Sequence, residues 1–265
     1  MTDTKMTDTA KLHFSEAGQG TPVVLLHGFP LSSTLWTEQR EQLAEHFRVI
    51  TPDLRGHGQS PAPAGVYEME SLARDVLALL DSLDIKQAVI MGHSMGGYVT
   101  LAAWRCAPGR FLAMGLIDSQ AGADTEAGRQ GRLQLAEKVA AKGSLVAADA
   151  MLPKLFAPGL AAGHPLWEQV RQMILKTPRA GIIGALNGMA VRHDANAMLS
   201  TINIPVLVVA GDKDQIIPLA KAETLASAIP KATLKVIANA GHMPMLEQPA
   251  ATTAAIHDFL RAAGL

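Results

Sequence analysis

Val89-Ile90-Met91-Gly92-His93-Ser94-Met95-Gly96-Gly97 is the stretch of this 265-residue chain that decides its fold. A short apolar run ends at Met91. Gly92 to Gly97 then form a G-x-S-x-G pattern, and a helix-prone run begins near Met95. A serine on so tight a strand-to-helix turn projects its hydroxyl above the edge of a sheet. The flanking glycines let strand and helix approach closely. Ser94 is therefore the candidate nucleophile.

Similar apolar runs lie on both sides. Val23-Val24-Leu25-Leu26 is entered through Pro22 and stopped by His27-Gly28. Residues 47–51, 111–117, 206–210 and 234–237 read the same way. Short, near-continuous apolar strands are those of a parallel sheet buried on both faces. Helical patterns fall between them, at residues 71–83, 95–106, 219–228 and 248–262. In the first, Leu72, Val76, Leu79, Leu80 and Leu83 share one side. The alternation predicts an α/β fold with a mostly parallel sheet.

One interval breaks the alternation. Residues 121–193 hold no strand-like run, only helix-prone pieces at 126–142, 145–155, 167–176 and 180–191. Pro158, Pro165 and Pro178 separate them. This segment reads as a helical cap inserted into a core formed by residues 12–120 and 194–265. Residues 1–11 are polar, mixed in charge and read as a flexible tail. They lack the basic region and apolar run of a signal peptide, so a cytoplasmic location is expected.

A serine hydroxyl needs a base, and the base needs an orienting group. Ala240-Gly241-His242-Met243-Pro244 follows the last strand run, at the carboxyl edge where open α/β sheets form their sites. His242 is the candidate base. Asp214 of Gly211-Asp212-Lys213-Asp214 is the candidate acid, being further out on its loop than Asp212, which is expected to brace the loop. Asp118, which ends the 111–117 strand, is a rival. The oxyanion needs two backbone donors. Met95 supplies one by position and Phe29, in His27-Gly28-Phe29-Pro30, the other, since Pro30 has no N–H.

These motifs together resemble the α/β-hydrolase superfamily, in its lidded serine esterase, lactonase and cofactor-free haloperoxidase-like branch. The resemblance runs from about Val23 to Leu260. It is carried by His27 to Pro30, by Pro52-Asp53-Leu54-Arg55-Gly56-His57-Gly58-Gln59-Ser60, and by Gly92 to Gly97. Gly211 to Asp214 with Ile217-Pro218, and Gly241-His242, complete it. It implies an eight-stranded, mostly parallel sheet with strand two antiparallel, flanked by helices. It implies that Ser94, Asp214 and His242 are nucleophile, acid and base. It also implies that residues 53–60 form a structural loop and that His27 braces the oxyanion loop.

Other chemistries are not indicated. Dehalogenases and epoxide hydrolases of this fold carry Asp where this chain has Ser94. There is no H-E-x-x-H or phosphate-binding glycine loop, and one cysteine cannot build a thiolate zinc site. No cofactor and no metal are expected. Cys106 reads as a small buried residue. A net charge of -1 gives no steer towards nucleic acid or membrane. With 48% hydrophobic and 18% charged residues, disorder is excluded as the main state.

The expected partner is a small-molecule ester or lactone, and a homo-oligomer is compatible with the sequence. Phe29, Met151, Met173, Met189 and Met243 are the candidate pocket residues, since thioethers adapt to irregular apolar shapes. The cap holds nine Lys/Arg against five Asp/Glu, a surface that would draw an acidic ester or enol-lactone. The main reading is a carboxylesterase. Lactonase, perhydrolase and carbon–carbon hydrolase share its residues, and a non-catalytic receptor on the same fold is the rival of a different class.

Overall fold

The computed structural model describes residues 9–160 and 163–265. Among them seven strands form one sheet: β1 (Phe14–Ala17), β2 (Pro22–Leu26), β3 (Arg48–Pro52), β4 (Ala88–His93), β5 (Phe111–Ile117), β6 (Val206–Gly211) and β7 (Ala232–Ile237). Their spatial order is β1-β3-β2-β4-β5-β6-β7. Only β1 is antiparallel, against β3, and every other pairing is parallel. All six residues of β4 and of β6 are buried, which requires cover on both faces. Two helix pairs help provide it. Thr37–Leu43 (α1) packs on the C-terminal helix Pro249–Ala262, and Met69–Ser82 (α2) packs on Met95–Cys106 (α3).

The expected eighth strand is not found among the described residues, and the antiparallel strand is the first rather than the second. Residues just before Phe14 spend their hydrogen bonds elsewhere. Ala10 N–H donates to Asp75 Oδ1 at 2.8 Å, and His13 N–H to Ser60 Oγ at 2.9 Å. The expected tail falls on residues 1–11, of which 1–8 lie outside the described residues. Cys106 also departs from expectation. It is the last residue of α3 and is exposed, because the apolar face of that helix ends at Ala103.

Between β5 and β6 lie four α-helices, then a 3-10 helix at Asn196–Thr201, and no strand among the described residues; the α-helices are α4 (Glu126–Lys142), α5 (Leu145–Leu155), α6 (Pro165–Lys176) and α7 (Arg179–Ala190). Thr125 starts α4 by accepting the Gly128 N–H on Oγ1 at 3.2 Å. Pro165 opens α6, where a missing N–H costs nothing. The two ends of the insertion are tied together. Ala195 N–H donates to Ala121 O at 3.0 Å, and Arg192 bridges Gly122 O at 2.9 Å and Asp124 Oδ1 at 2.6 Å.

Helix α7 docks on the core through glycines. A Cβ on Gly181 would lie 1.7 Å from Gly56 O, and one on Gly188 would lie 1.7 Å from Tyr67 O. The missing side chains let the helix backbone touch the 56–67 loop, and Tyr67 N–H donates to Gly184 O at 3.0 Å. Gly188→Ala is expected to destabilise the protein by about 1–3 kcal/mol, the usual cost of overpacking. Equilibrium urea unfolding measures it, and an unchanged midpoint would contradict this docking.

Candidate active site

The parallel order brings the carboxyl ends of β2, β4, β5, β6 and β7 to one edge. Ser94 follows β4 with φ 50° and ψ −114°, a left-handed conformation that costs a non-glycine residue about 1–3 kcal/mol. Close packing holds it there. A Cβ at Gly92 would sit 2.1 Å from the carbonyl of Gly96, and one at Gly96 would sit 2.6 Å from Leu26 O. Ser94 N–H donates to Ile117 O at 2.9 Å, and Ser119 Oγ donates to Ser94 O at 2.9 Å. The turn is thus pinned from the neighbouring strand.

His242 lies on the loop after β7 and is 2% exposed. Its Nδ1–H donates to Asp214 Oδ2 at 2.7 Å. That bond fixes the tautomer and leaves Nε2 as the free ring nitrogen. The other Asp214 oxygen accepts the Ile216 and Ile217 N–H groups at 2.7 and 3.0 Å. Burial pushes the Asp214 carboxyl up, but the His242 charge and hydrogen bond and the two amides outweigh it. The net shift is below the usual carboxylate range. Asp212 braces the same loop, accepting the Ala240 N–H at 3.2 Å.

Ser94 and His242 line one cavity of about 560 Å³, with Phe29, Tyr98, Met151 and Met189 among its walls. Met95 is the first residue of α3, so its N–H has no acceptor within the helix. The Phe29 N–H has no partner among the described residues. Two expected pocket residues are misplaced. Met243, the residue after His242, is fully buried and is not among the cavity's lining residues, and Met173 lines a separate cleft with Ser32, Ser33 and Gln169. Met173 falls outside because α6 does not face the cavity, whereas α4, α5 and α7 do.

Three buried histidines frame the turn. His27 Nδ1–H donates to Gly28 O at 2.8 Å and Nε2 accepts the Leu54 N–H at 2.9 Å, tying the Phe29 loop to the 53–60 loop. His93 Nε2–H donates to the His242 carbonyl at 2.7 Å, joining the two loops of the site. His57 Nδ1–H donates to Arg55 O at 3.0 Å. Asp53 closes its loop on the Ser33 and Gln59 N–H groups at 2.7 and 2.9 Å.

Sequence reading missed Glu247. Its Oε1 accepts Gly241 N–H at 2.9 Å and its Oε2 accepts Ala157 N–H at 2.7 Å, so it joins the His242 loop to the insertion. Its only sequence signal is a carboxylate five residues after His242. Asp118 is 0% exposed and lies beside Asp214, but the imidazole Nδ1 is hydrogen-bonded to Asp214 and not to Asp118. The ligating atoms of Asp118, Asp214 and His242 lie within 4.8 Å of one another, the one such group among the described residues. Both Asp214 oxygens and His242 Nδ1 are already engaged in the hydrogen bonds above.

Residues 21–249 match the family described as alpha/beta hydrolase fold, and the chain belongs to that family. A thermophilic esterase from Thermogutta terrifontis, in a malate-bound structure, superposes with a TM-score of 0.95 at 40% identity, covering 98% of this chain and 96% of that one. The 3-oxoadipate enol-lactonase 2 of Acinetobacter baylyi is 30% identical over 264 residues, covering 98% of this chain and 96% of that protein. A dihydrolipoyllysine-residue acetyltransferase component of the acetoin cleaving system from Pseudomonas putida is 36% identical over 253 residues. That match spans 91% of this chain but only 64% of the longer protein.

Burial lowers His57 and His93 from the usual 6.5 to about 3, with the neighbouring His27 and His242 adding to the effect. The folded state therefore resists a proton that the unfolded chain accepts. Stability from these rings is complete above pH 6.5 and is lost as the pH falls towards 3. Unfolding free energy is expected to drop by about 2–2.5 kcal/mol between pH 6 and pH 5, about 1.2 kcal/mol for each ring. Urea titrations across that range measure it, and a flat profile would contradict neutral buried rings.

Proposed function

We propose that this protein is a serine hydrolase that cleaves carboxylic esters of small to medium size through an acyl-enzyme. The observation that carries the reading is one cavity shared by Ser94, on its pinned left-handed turn, and His242, whose far nitrogen is bound to Asp214. Ser94 Oγ attacks the acyl carbonyl while His242 Nε2 takes its proton. Asp214 stabilises the resulting imidazolium. The Phe29 and Met95 N–H groups hold the oxyanion. Collapse breaks the bond to the alcohol, which leaves with the proton from His242. Water then gives a proton to the same nitrogen, attacks the acyl carbon and frees Ser94. The inserted helices act as a cap whose walls set substrate size, and a cavity of this volume suits a small ligand.

The wild-type protein is expected to hydrolyse 4-nitrophenyl acetate or butyrate. Ser94→Ala should lower kcat/KM by more than about 10³-fold. A fluorophosphonate should label the wild type once and Ser94→Ala not at all. An unlabelled Ser94 in a folded protein would sink the enzyme reading and favour a receptor.

The charge of the cavity favours substrates that carry a carboxylate, including lactones. Among the described residues Arg132, Lys138 and Lys154 line it, against Asp124 alone. Arg132 holds Asp124 through Nε and Nη2, while among the described residues Nη1 has only Met189 Sδ, a weak acceptor, at 3.3 Å. A substrate carboxylate would replace that sulfur. The dicarboxylate malate in the Thermogutta esterase and the enol-lactonase relative agree with this preference. The mono-4-nitrophenyl ester of glutaric acid is expected to outrun the neutral butyrate ester in kcat/KM. A Lys138→Met/Lys154→Met variant should cut that ratio by about tenfold with fluorophosphonate labelling unchanged. An unchanged ratio would refute charge selection.

A further inference from the structure

Asp118 is buried next to the Asp214–His242 pair, and its Oδ2 receives no N–H or O–H donor among the described residues. Its other oxygen accepts the Gly211 N–H at 2.8 Å, across 93 residues of chain. A buried carboxylate with one bare oxygen is costly, and a second carboxylate at close range adds repulsion. One carboxylate oxygen of Asp118 lies within 4.8 Å of an Asp214 oxygen and of a His242 ring nitrogen. One proton shared between the two acids removes the repulsion and gives the bare oxygen a purpose.

The partners decide which acid keeps the proton. Asp214 has two backbone N–H donors and the His242 ring, all of which favour its charged form. Asp118 has a single backbone donor. We infer that Asp118 is held as the neutral acid and donates its Oδ2–H to the Asp214 carboxylate, which makes it a positioning residue for the Asp214–His242 pair.

The electrostatics agree with this geometry. Burial first, then the Asp214 charge, push the Asp118 carboxyl well above the usual range, with a smaller push from Glu247. The charged or titratable groups facing it are Asp214, Glu247 and His242. In this arrangement the donated hydrogen bond draws charge out of Asp214, so Asp214 grips the imidazolium less tightly. Asp118 sits at φ 44°, a region that Asp and Asn tolerate and glycine enters freely.

The kinetic part of this inference rests on the esterase reading, and a spectroscopic arm keeps the two separable. The infrared spectrum of the wild type at neutral pH is expected to contain a protonated-carboxyl stretch that Asp118→Asn removes and Ser94→Ala retains. In ester hydrolysis Asp118→Asn, whose amide also donates, should stay within about threefold of wild type in kcat/KM. Asp118→Gly accepts the same φ but donates nothing. It should lose about ten- to a hundredfold, with the acidic limb of its kcat/KM profile moved to higher pH. A carboxyl stretch unaffected by Asp118→Asn would overturn the inference whether or not the protein is an esterase. So would an Asn variant as impaired as the Gly variant, or a Gly variant with wild-type kinetics and pH profile.

Discussion

The left-handed backbone of Ser94 is the constraint on which the rest of the site depends. It is unfavourable on its own. It persists because the carbonyl of Gly96 fills the space where a Gly92 side chain would be, and because Ile117 and Ser119 hold both backbone groups of Ser94. Those holds exist only in a parallel sheet that sets β5 beside β4, with His93 opposite Ile117. The sheet therefore does more than support the site. It supplies the contacts that make the turn affordable.

A second layer of hydrogen bonds ties the loops around that turn. His93 reaches from the residue before Ser94 to the carbonyl of His242. His27 links the Phe29 loop to Leu54. Glu247 joins Gly241 to Ala157, so one carboxylate ties the His242 loop to the end of α5. The Asp124–Arg192 pair, with Arg192 over the Tyr98 ring at 4.3 Å, fixes the ends of the insertion. Buried neutral imidazoles suit this work because each ring carries one donor and needs no counter-ion.

Much of this was legible in the sequence, for local reasons. The central strands are uninterrupted apolar runs because helices cover both faces, and such runs need no partner to be seen. β1 was not legible. Phe-Ser-Glu-Ala is a half-exposed edge strand, and only pairing with β3 defines it. α1 was missed because Thr-Glu-Gln-Arg-Glu-Gln-Leu is almost wholly polar, although Gln39 is buried on the Met245 carbonyl. Ser94, Asp214 and His242 each lie in a short loop directly after a strand, so spacing reveals them. Glu247 acts on Ala157 and Asp118 on Gly211, contacts that only the folded chain creates. Methionine looks the same in a core as in a pocket wall, which is why Met173 and Met243 were placed with Met151 and Met189.

On the proposed reading, all these contacts serve one chemical event, transfer of an acyl group to Ser94 Oγ. Acid-quenched mixing with 4-nitrophenyl butyrate, followed by mass spectrometry of the digested protein, observes that event directly. The expected result is one butyryl group on the peptide containing Ser94, formed at the rate of the first burst of 4-nitrophenol. Turnover of the ester with Ser94 unmodified at every quench time, or with the acyl group on another residue, would contradict it.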